Sequence, residues 1–346
     1  MRHCTCVPAL ILFLLTLVTT ACDNTDPNDY LPANRISGEA MGSYYRIIYL
    51  GERVDGLQES VDSLLEAYNQ ELSPWVEGST ISRFNRSDTG ISLAGTLHFL
   101  PNLELAAEVV RATNGAYDPT VAPLVEFWGF GTGEKRSTSA IDTAALNAVR
   151  ELVGFERISY DSGFLRKDLP GVALDLNASA KGYGVDLISR LLVDRGRPNH
   201  LVDIGGEMRG GGTKNGRPWT VAIRLPEEGA QEVAAAGTLP LSDGRAIATS
   251  GNYLNFYEVD GETYSHTINP RTGYVERNRL LSASILADDC ATADAYATAC
   301  MVLGPDEAVR LIEGHSELDG YFLVRGANDS LEVRATAGLR KKLEEG

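Results

Sequence analysis

Positive charge is in short supply: 31 lysines and arginines stand against 47 aspartates and glutamates, a formal net charge of −16 over 346 residues. A nucleic-acid partner needs a basic footprint, so that class of function is excluded. Cysteine is scarce too, and Cys4, Cys6 and Cys22 crowd the N-terminus, leaving only Cys290 and Cys300 for the body. Two cysteines make no disulfide framework; they serve either as one pair or as small core residues. The five histidines, His3, His98, His200, His266 and His315, are scattered, which argues against a multi-histidine zinc site. No G-x-G-x-x-G lies between a strand and a helix, and the phosphate loop ending in Gly-Lys-Ser/Thr, the G-x-S-x-G elbow and the H-E-x-x-H pair are missing. The familiar dehydrogenase and hydrolase readings lose their support with them.

Long hydrophobic runs are also lacking. The apolar stretch from Leu10 to Val18 falls short of the ~20 residues a spanning helix wants. With Arg2 before it and small residues up to Ala21, it has the layout of a targeting segment. Ala21-Cys22 resembles a bacterial lipoprotein cleavage point, with Cys22 the lipidated residue, although Thr19 stands where such sites usually carry Leu; an ordinary signal peptide cut near Ala21 is the alternative. Asp23 resembles an inner-membrane retention signal, so the expected location is the periplasmic side of the cell inner membrane, held by lipid. Loss of residues 1–21 removes Arg2 and no acid, taking the charge from −16 to −17. Residues 22–35 are polar and proline-punctuated, as a tether is. A single body is expected over residues 36–340, with a charged tail at 341–346.

Within that body Tyr44 to Leu50 alternates as a strand, and Gly56 to Glu71 carries Leu57, Val61, Leu64, Leu65 and Tyr68 at helical spacing. Leu97 to Asn114 predicts a second helix; Val172 to Leu176, His200 to Ile204, Trp219 to Leu225, Leu281 to Ala287 and Gly320 to Arg325 predict strands. The mixture without regular strand-helix alternation gives an α+β fold class.

Three segments carry chemistry. Thr292 to Leu303 is alanine-rich and closed by Gly304, hence helical, and Asp294 and Thr298 stand four apart on it. A carboxylate and a hydroxyl on one face are the hard oxygen donors Mg²⁺ takes, but the same pair suits an exposed Asp near a helix start with an ordinary Thr behind it. Leu174 to Asp186 runs from an apolar stretch through small residues to Gly182, where Lys181 either meets phosphate oxygens as a point charge or is simply solvated. Val202 to Gly212 holds Gly205 and Gly206 between apolar runs, as a tight hairpin or a close-approach site does.

Taken in order, these segments resemble the ApbE family of flavin transferases from about Ile36 to Gly338. The resemblance is carried by Gly38-Glu-Ala-Met-Gly-Ser-Tyr-Tyr-Arg-Ile47, Leu72-Ser-Pro-Trp75, Ser79-Thr-Ile-Ser-Arg-Phe-Asn85 and Gly115-Ala-Tyr-Asp-Pro-Thr120 with Trp128-Gly-Phe130. The stretch from Asp175 to Asp186 continues it, with Asp203-Ile-Gly-Gly-Glu207, Ile247-Ala-Thr-Ser-Gly-Asn-Tyr253, Ser265-His-Thr-Ile-Asn-Pro-Arg-Thr-Gly273 and Ala293-Asp-Ala-Tyr-Ala-Thr298. It implies a T-fold-like α+β body of two closely packed lobes with FAD between them. It further implies that Met41, Trp75, Ala116, Tyr117, Asp118, Asp175, Lys181, Thr267 and Ile268 contact FAD, and that Asp294, Thr298 and the carbonyl of Ala178 hold Mg²⁺. Trp75 stands where the family often has Tyr, Ser43 where Thr is usual, and Asn252 and Asn269 where Asp is frequent.

The implied reaction passes FMN from FAD to a Thr or Ser hydroxyl of a flavin-accepting subunit of a membrane redox complex, with release of AMP. His266 is the candidate base for the hydroxyl proton, since imidazole accepts a proton near neutral pH; a buried, structural histidine is the other reading. Two rival functions share these residues. One is a Mg²⁺-dependent FAD pyrophosphatase with water as acceptor, the other a lipoprotein that binds flavin and catalyses nothing.

Overall fold

The structure, a computed structural model, describes residues 30–133, 142–224, 235–241, 244–252, 256–259, 262–265 and 267–345. Along the chain run β1 (Ala33–Ala40), β2 (Ser43–Leu50), α1 (Leu57–Leu72), α2 (Thr80–Arg86), β3 (Gly90–Ser92), α3 (Phe99–Ala112), α4 (Ala122–Phe127), α5 (Thr143–Arg150), β4 (Ile158–Tyr160) and β5 (Phe164–Lys167). Next come α6 (Asn177–Asp194), β6 (His200–Ile204), β7 (Glu207–Gly211), β8 (Trp219–Arg224), β9 (Ala235–Leu241), β10 (Ala246–Gly251), β11 (Phe256–Val259) and β12 (Glu262–Ser265). The chain closes with β13 (Leu280–Ala287), α7 (Cys290–Leu303), α8 (Pro305–Glu313), β14 (Asp319–Arg325), β15 (Leu331–Ala335) and α9 (Ala337–Glu345).

Eight strands form the main sheet in the order β1-β2-β6-β7-β10-β13-β14-β15, every pairing antiparallel. A three-stranded sheet β3-β5-β4 makes a second, smaller layer. One apolar cluster runs between them, joining Phe84 and Leu165 to Ile285 and Phe322 through Ala293, Ala297 and Cys300 of α7. A helix apolar on all sides belongs in an interior, and α7 is buried along 11 of its 14 residues, between the sheet and α6. Cys290 and Cys300 are both free and buried there, so they act as core residues. The α+β class is as expected.

Three boundaries differ from the sequence reading. β1 begins at Ala33, inside the stretch that reads as tether, because Ala33 to Ala40 pair along the whole of β2. α9 extends through the charged tail as far as Glu345. Val172 to Leu176 is no strand, and side chains take up part of its backbone hydrogen bonding. Asn85 both donates to the Leu174 carbonyl (2.9 Å) and accepts from its N–H (2.8 Å), and Lys167 Nζ donates to the carbonyls of Phe84 (2.8 Å) and Val172 (2.5 Å). These bonds, with that from Asp175 N–H to the Pro119 carbonyl at 2.7 Å, stand in place of a ladder. Burial pushes the Lys167 ammonium down to about 8.

Candidate active site

The centre of the site is the crossing of α6 and α7. Gly182 permits it: a Cβ there would lie 2.2 Å from the Cys290 carbonyl oxygen. Its N–H donates to Asp294 Oδ2 at 3.0 Å, fixing the carboxylate of one helix against the backbone of the other. One turn earlier, Tyr117 Oη and Ser179 Oγ share a hydrogen bond of 3.1 Å, tying Ala116, Tyr117 and Asp118 to the start of α6. The Gly205-Gly206 turn between β6 and β7, with φ of 62° and 111°, presents Glu207, whose Oε1 accepts from Lys181 Nζ. This turn lies beside the Met41-Gly42 turn between β1 and β2: Gly205 N–H donates to the Tyr44 carbonyl at 3.0 Å.

Asp294 is only 4% exposed, which removes the reading of it as a surface residue near a helix start. Burial pushes its pKa up to about 7; Lys181 pulls it back and Glu207 raises it. Burial works against the Lys181 ammonium in turn, but Asp294 and Glu207 outweigh it and hold that pKa above the ordinary lysine value. Glu207 is 3% exposed, and its Oε2 has no hydrogen-bond partner. Thr298, one turn after Asp294, is half-buried with Oγ1 3.3 Å from Ser250 Oγ at the end of β10.

The remaining residues of interest are spread around this centre. Met41 is held at φ 55°, a left-handed conformation that costs a non-glycine residue ~1 kcal/mol, and its sulfur lies 3.3 Å from where a Cβ on Gly184 of α6 would sit. Trp75 is 64% exposed, between α1 and α2. The Asp118 carboxylate accepts from Thr120 N–H (2.8 Å), Thr120 Oγ1 (2.6 Å) and Phe155 N–H (3.0 Å), so it organises the loops around it. Burial raises its pKa against those bonds. Asp175 Oδ1 accepts from Asn177 N–H at 2.8 Å as α6 begins, with burial raising its pKa. Ala178 stands in the first turn of α6. Ile268 packs its side chain against the Leu124, Phe127 and Trp128 cluster, and its backbone bridges Val275. His266 and Cys22 lie outside the described residues.

The two asparagines that replace frequent aspartates have structural partners. Asn252 Oδ1 accepts from Thr267 Oγ1 at 2.9 Å, a task a carboxylate oxygen also performs. Asn269 accepts from the N–H groups of Arg271 and Thr272 while its amide donates to Glu276 Oε1 at 2.6 Å. An Asp at 269 would set two carboxylates against each other, so Glu276 accounts for the amide.

Sequence reasoning assigned no role to Glu207 or Asp186. Asp186 accepts from Cys290 N–H with both oxygens and from Ala291 N–H, each at 3.0 Å, and from Arg209 at 2.6 Å. The signal that was there is an acidic residue at the first position after a Gly-Gly turn and another flanked by apolar residues within α6.

A profile of the ApbE family matches residues 41–322. An FAD:protein FMN transferase of Vibrio cholerae is 37% identical over 294 residues, covering 82% of this chain and 86% of its own. One of Klebsiella pneumoniae is 32% identical over 319 residues, with 89% and 90% covered. Among solved structures, the flavin transferase ApbE of Vibrio cholerae superposes with a TM-score of 0.80 at 33% identity, over 90% of this chain and 99% of that one. The apo flavinyl transferase ApbE of Pseudomonas stutzeri gives 0.80 at 28% identity, over 91% and 98%. The fold and this shared architecture define an enzyme of the transferase class. The chain belongs to the ApbE family.

Proposed function

We propose that this protein is a Mg²⁺-dependent FAD:protein FMN transferase, moving FMN from FAD to a Thr or Ser hydroxyl of an acceptor protein with release of AMP. The observation that carries the reading is the buried cluster of Lys181, Glu207 and Asp294 at the α6–α7 crossing, in a chain whose family relatives bear that activity name. Among the described residues no three His, Cys, Asp or Glu side chains converge as metal ligands. Mg²⁺ does not need such a cage: it favours one or two carboxylates with water and phosphate oxygens in the other positions. Asp294, Thr298 and the Ala178 carbonyl fit that donor set, all of them hard oxygens.

In the reaction, the acceptor hydroxyl oxygen forms a bond to the phosphorus of the FMN half. The bond from that phosphorus to the bridging oxygen breaks, and AMP leaves with the bridging oxygen. Lys181, kept charged by its two carboxylate neighbours, binds the pyrophosphate oxygens as a point charge. His266, beside Thr267 in the chain, takes the hydroxyl proton. Bound Mg²⁺ supplies neutralisation of the phosphate charge. Tyr117, through Ser179, and Asp294, through Gly182, hold the first two turns of α6 in register for these contacts.

The acceptor is a periplasm-facing subunit of a membrane redox complex, and the enzyme reaches it from a lipid anchor on Cys22 at the inner membrane. No described helix is long and apolar enough to cross a membrane, and the anchor needs none. Replacing Cys22 by Ser is expected to move the protein from the membrane to the soluble fraction with transferase activity retained; a wild-type protein that takes up no labelled fatty acid contradicts the anchor.

The activity is tested by incubating the full chain with FAD, Mg²⁺ and a peptide bearing a Ser/Thr-Gly-Ala-Ser/Thr motif. The expected result is a peptide heavier by FMN less one water, with equimolar AMP. Free FMN and AMP without an adduct would make the protein an FAD pyrophosphatase. Bound flavin without AMP would make it a flavin-binding lipoprotein.

A further inference from the structure

Glu207 combines three properties that structural carboxylates do not share. It is 3% exposed; Oε1 is committed to Lys181; and Oε2 is the one carboxylate oxygen among the described residues that is buried without a partner. The comparison is close at hand, since Asp186, buried on the next turn of the same helix that carries Lys181, has every bond it can use. Leaving a buried carboxylate oxygen unpaired is costly, and such an atom persists in a folded chain when a ligand satisfies it. The position of Oε2 supports this. It lies 3.5 Å from where a Cβ on Gly205 would sit, at the tip of the β6–β7 turn, and a Cβ on the neighbouring Gly206 or on Gly42 of the facing turn would meet nothing within 4 Å. The oxygen therefore lies just beneath the β6–β7 turn tip, shielded from solvent, on the carboxylate whose other oxygen holds Lys181.

We propose that Glu207 is a substrate-binding residue whose Oε2 accepts a hydrogen bond from a sugar hydroxyl of the bound dinucleotide, while Oε1 orients Lys181. A carboxylate in this place accepts hydrogen bonds only, so its partner must be a donor; hydroxyls are the donors that flank a pyrophosphate, on the ribityl chain on one side and the ribose on the other. The inference rests on the FAD reading given above.

Glu207→Gln separates this role from mere support of Lys181. The Gln carbonyl oxygen still accepts from Lys181, which puts the amide NH₂ at the Oε2 position, a donor where an acceptor stood. Electrostatics alone gives the opposite sign, because removing a negative charge beside an anionic ligand strengthens binding. The experiment is calorimetric titration of the full-length wild type and Glu207→Gln with FAD, FMN and ADP, without Mg²⁺ so that no turnover occurs. The expected result is FAD affinity weakened by about tenfold or more in Glu207→Gln, with an unchanged unfolding temperature. A parallel loss for FMN assigns the hydroxyl to the ribityl chain, and a parallel loss for ADP assigns it to the ribose. Unchanged or tighter FAD binding by Glu207→Gln overturns the inference. Absence of FAD binding by the wild type overturns the FAD reading itself. Should Glu207→Gln fail to fold, Glu207→Asp carries the test: it retracts both oxygens by one methylene, must also weaken FAD, and overturns the inference if its affinity is that of the wild type.

Discussion

Two buried sets of charges at the α6–α7 crossing are bonded in opposite ways. Asp186 is closed: Arg209 and two backbone N–H groups of α7 use its oxygens, and it pins the N-terminus of that helix to α6. The cluster of Lys181, Glu207 and Asp294 is open: Lys181 is 33% exposed, Glu207 keeps an unpartnered oxygen, and Asp294 is held near neutrality by burial. Both sets of charges pay for desolvation. The difference is that the closed set recovers its cost within the chain, whereas the open set leaves unused bonding capacity for something that binds. Satisfaction of bonds, more than burial or charge, separates Asp186 from the carboxylates proposed above to bind substrate and metal.

The largest effect follows from breaking the closed side. Asp186→Ala strands the Arg209 guanidinium and unpairs the first N–H groups of α7, so unfolding free energy should fall by about 3–5 kcal/mol. Chemical denaturation measures this. A loss under 1 kcal/mol would show that the closed cluster does not hold the helices together.

The open side should respond the other way. Asp294→Asn removes a desolvated carboxylate that holds no cation partner as firmly as Asp186 does, so the unfolding midpoint should stay within a few degrees of wild type, while Mg²⁺-dependent turnover falls by roughly a hundredfold or more. A thermal scan beside an AMP-release assay reads both. Unchanged turnover at limiting Mg²⁺ would remove Asp294 from the metal site.

A smaller, graded effect is the pH dependence of Asp294. Its folded pKa of about 7 lies above the ordinary 3.8, so the folded metal-free protein takes up this proton more readily than the unfolded chain. The associated stabilisation is full below pH 3.8 and is lost as pH rises toward about 7. Cation binding needs the ionised form, so Mg²⁺ affinity should fall as pH drops below about 7 and level off above it. Mg²⁺ titration by calorimetry across that window checks the slope; a pH-independent affinity would contradict the assignment.

Much of the fold was legible because local patterns sufficed. The helices α1 and α7 and the strands β2, β6 and β13 follow from apolar spacing, alanine content and the terminating Gly304. Val172 to Leu176 misled because its apolar run looks like a buried strand, while its actual partners, Asn85 and Lys167, are side chains distant in sequence or outside the run. The i,i+4 pair of Asp294 and Thr298 was visible, yet spacing could not tell a buried carboxylate from an exposed one; only the packing of α7 against α6 does. Glu207 stood inside a recognised glycine turn, but what sets it apart is an unmade hydrogen bond, which no sequence pattern records.

The most direct test of the open cluster as the seat of flavin transfer is the intact mass of an acceptor peptide after reaction with wild type and Asp294→Asn, both verified as folded. The account predicts an FMN adduct and equimolar AMP with wild type and neither with Asp294→Asn at limiting Mg²⁺. An adduct formed equally by both proteins would contradict it.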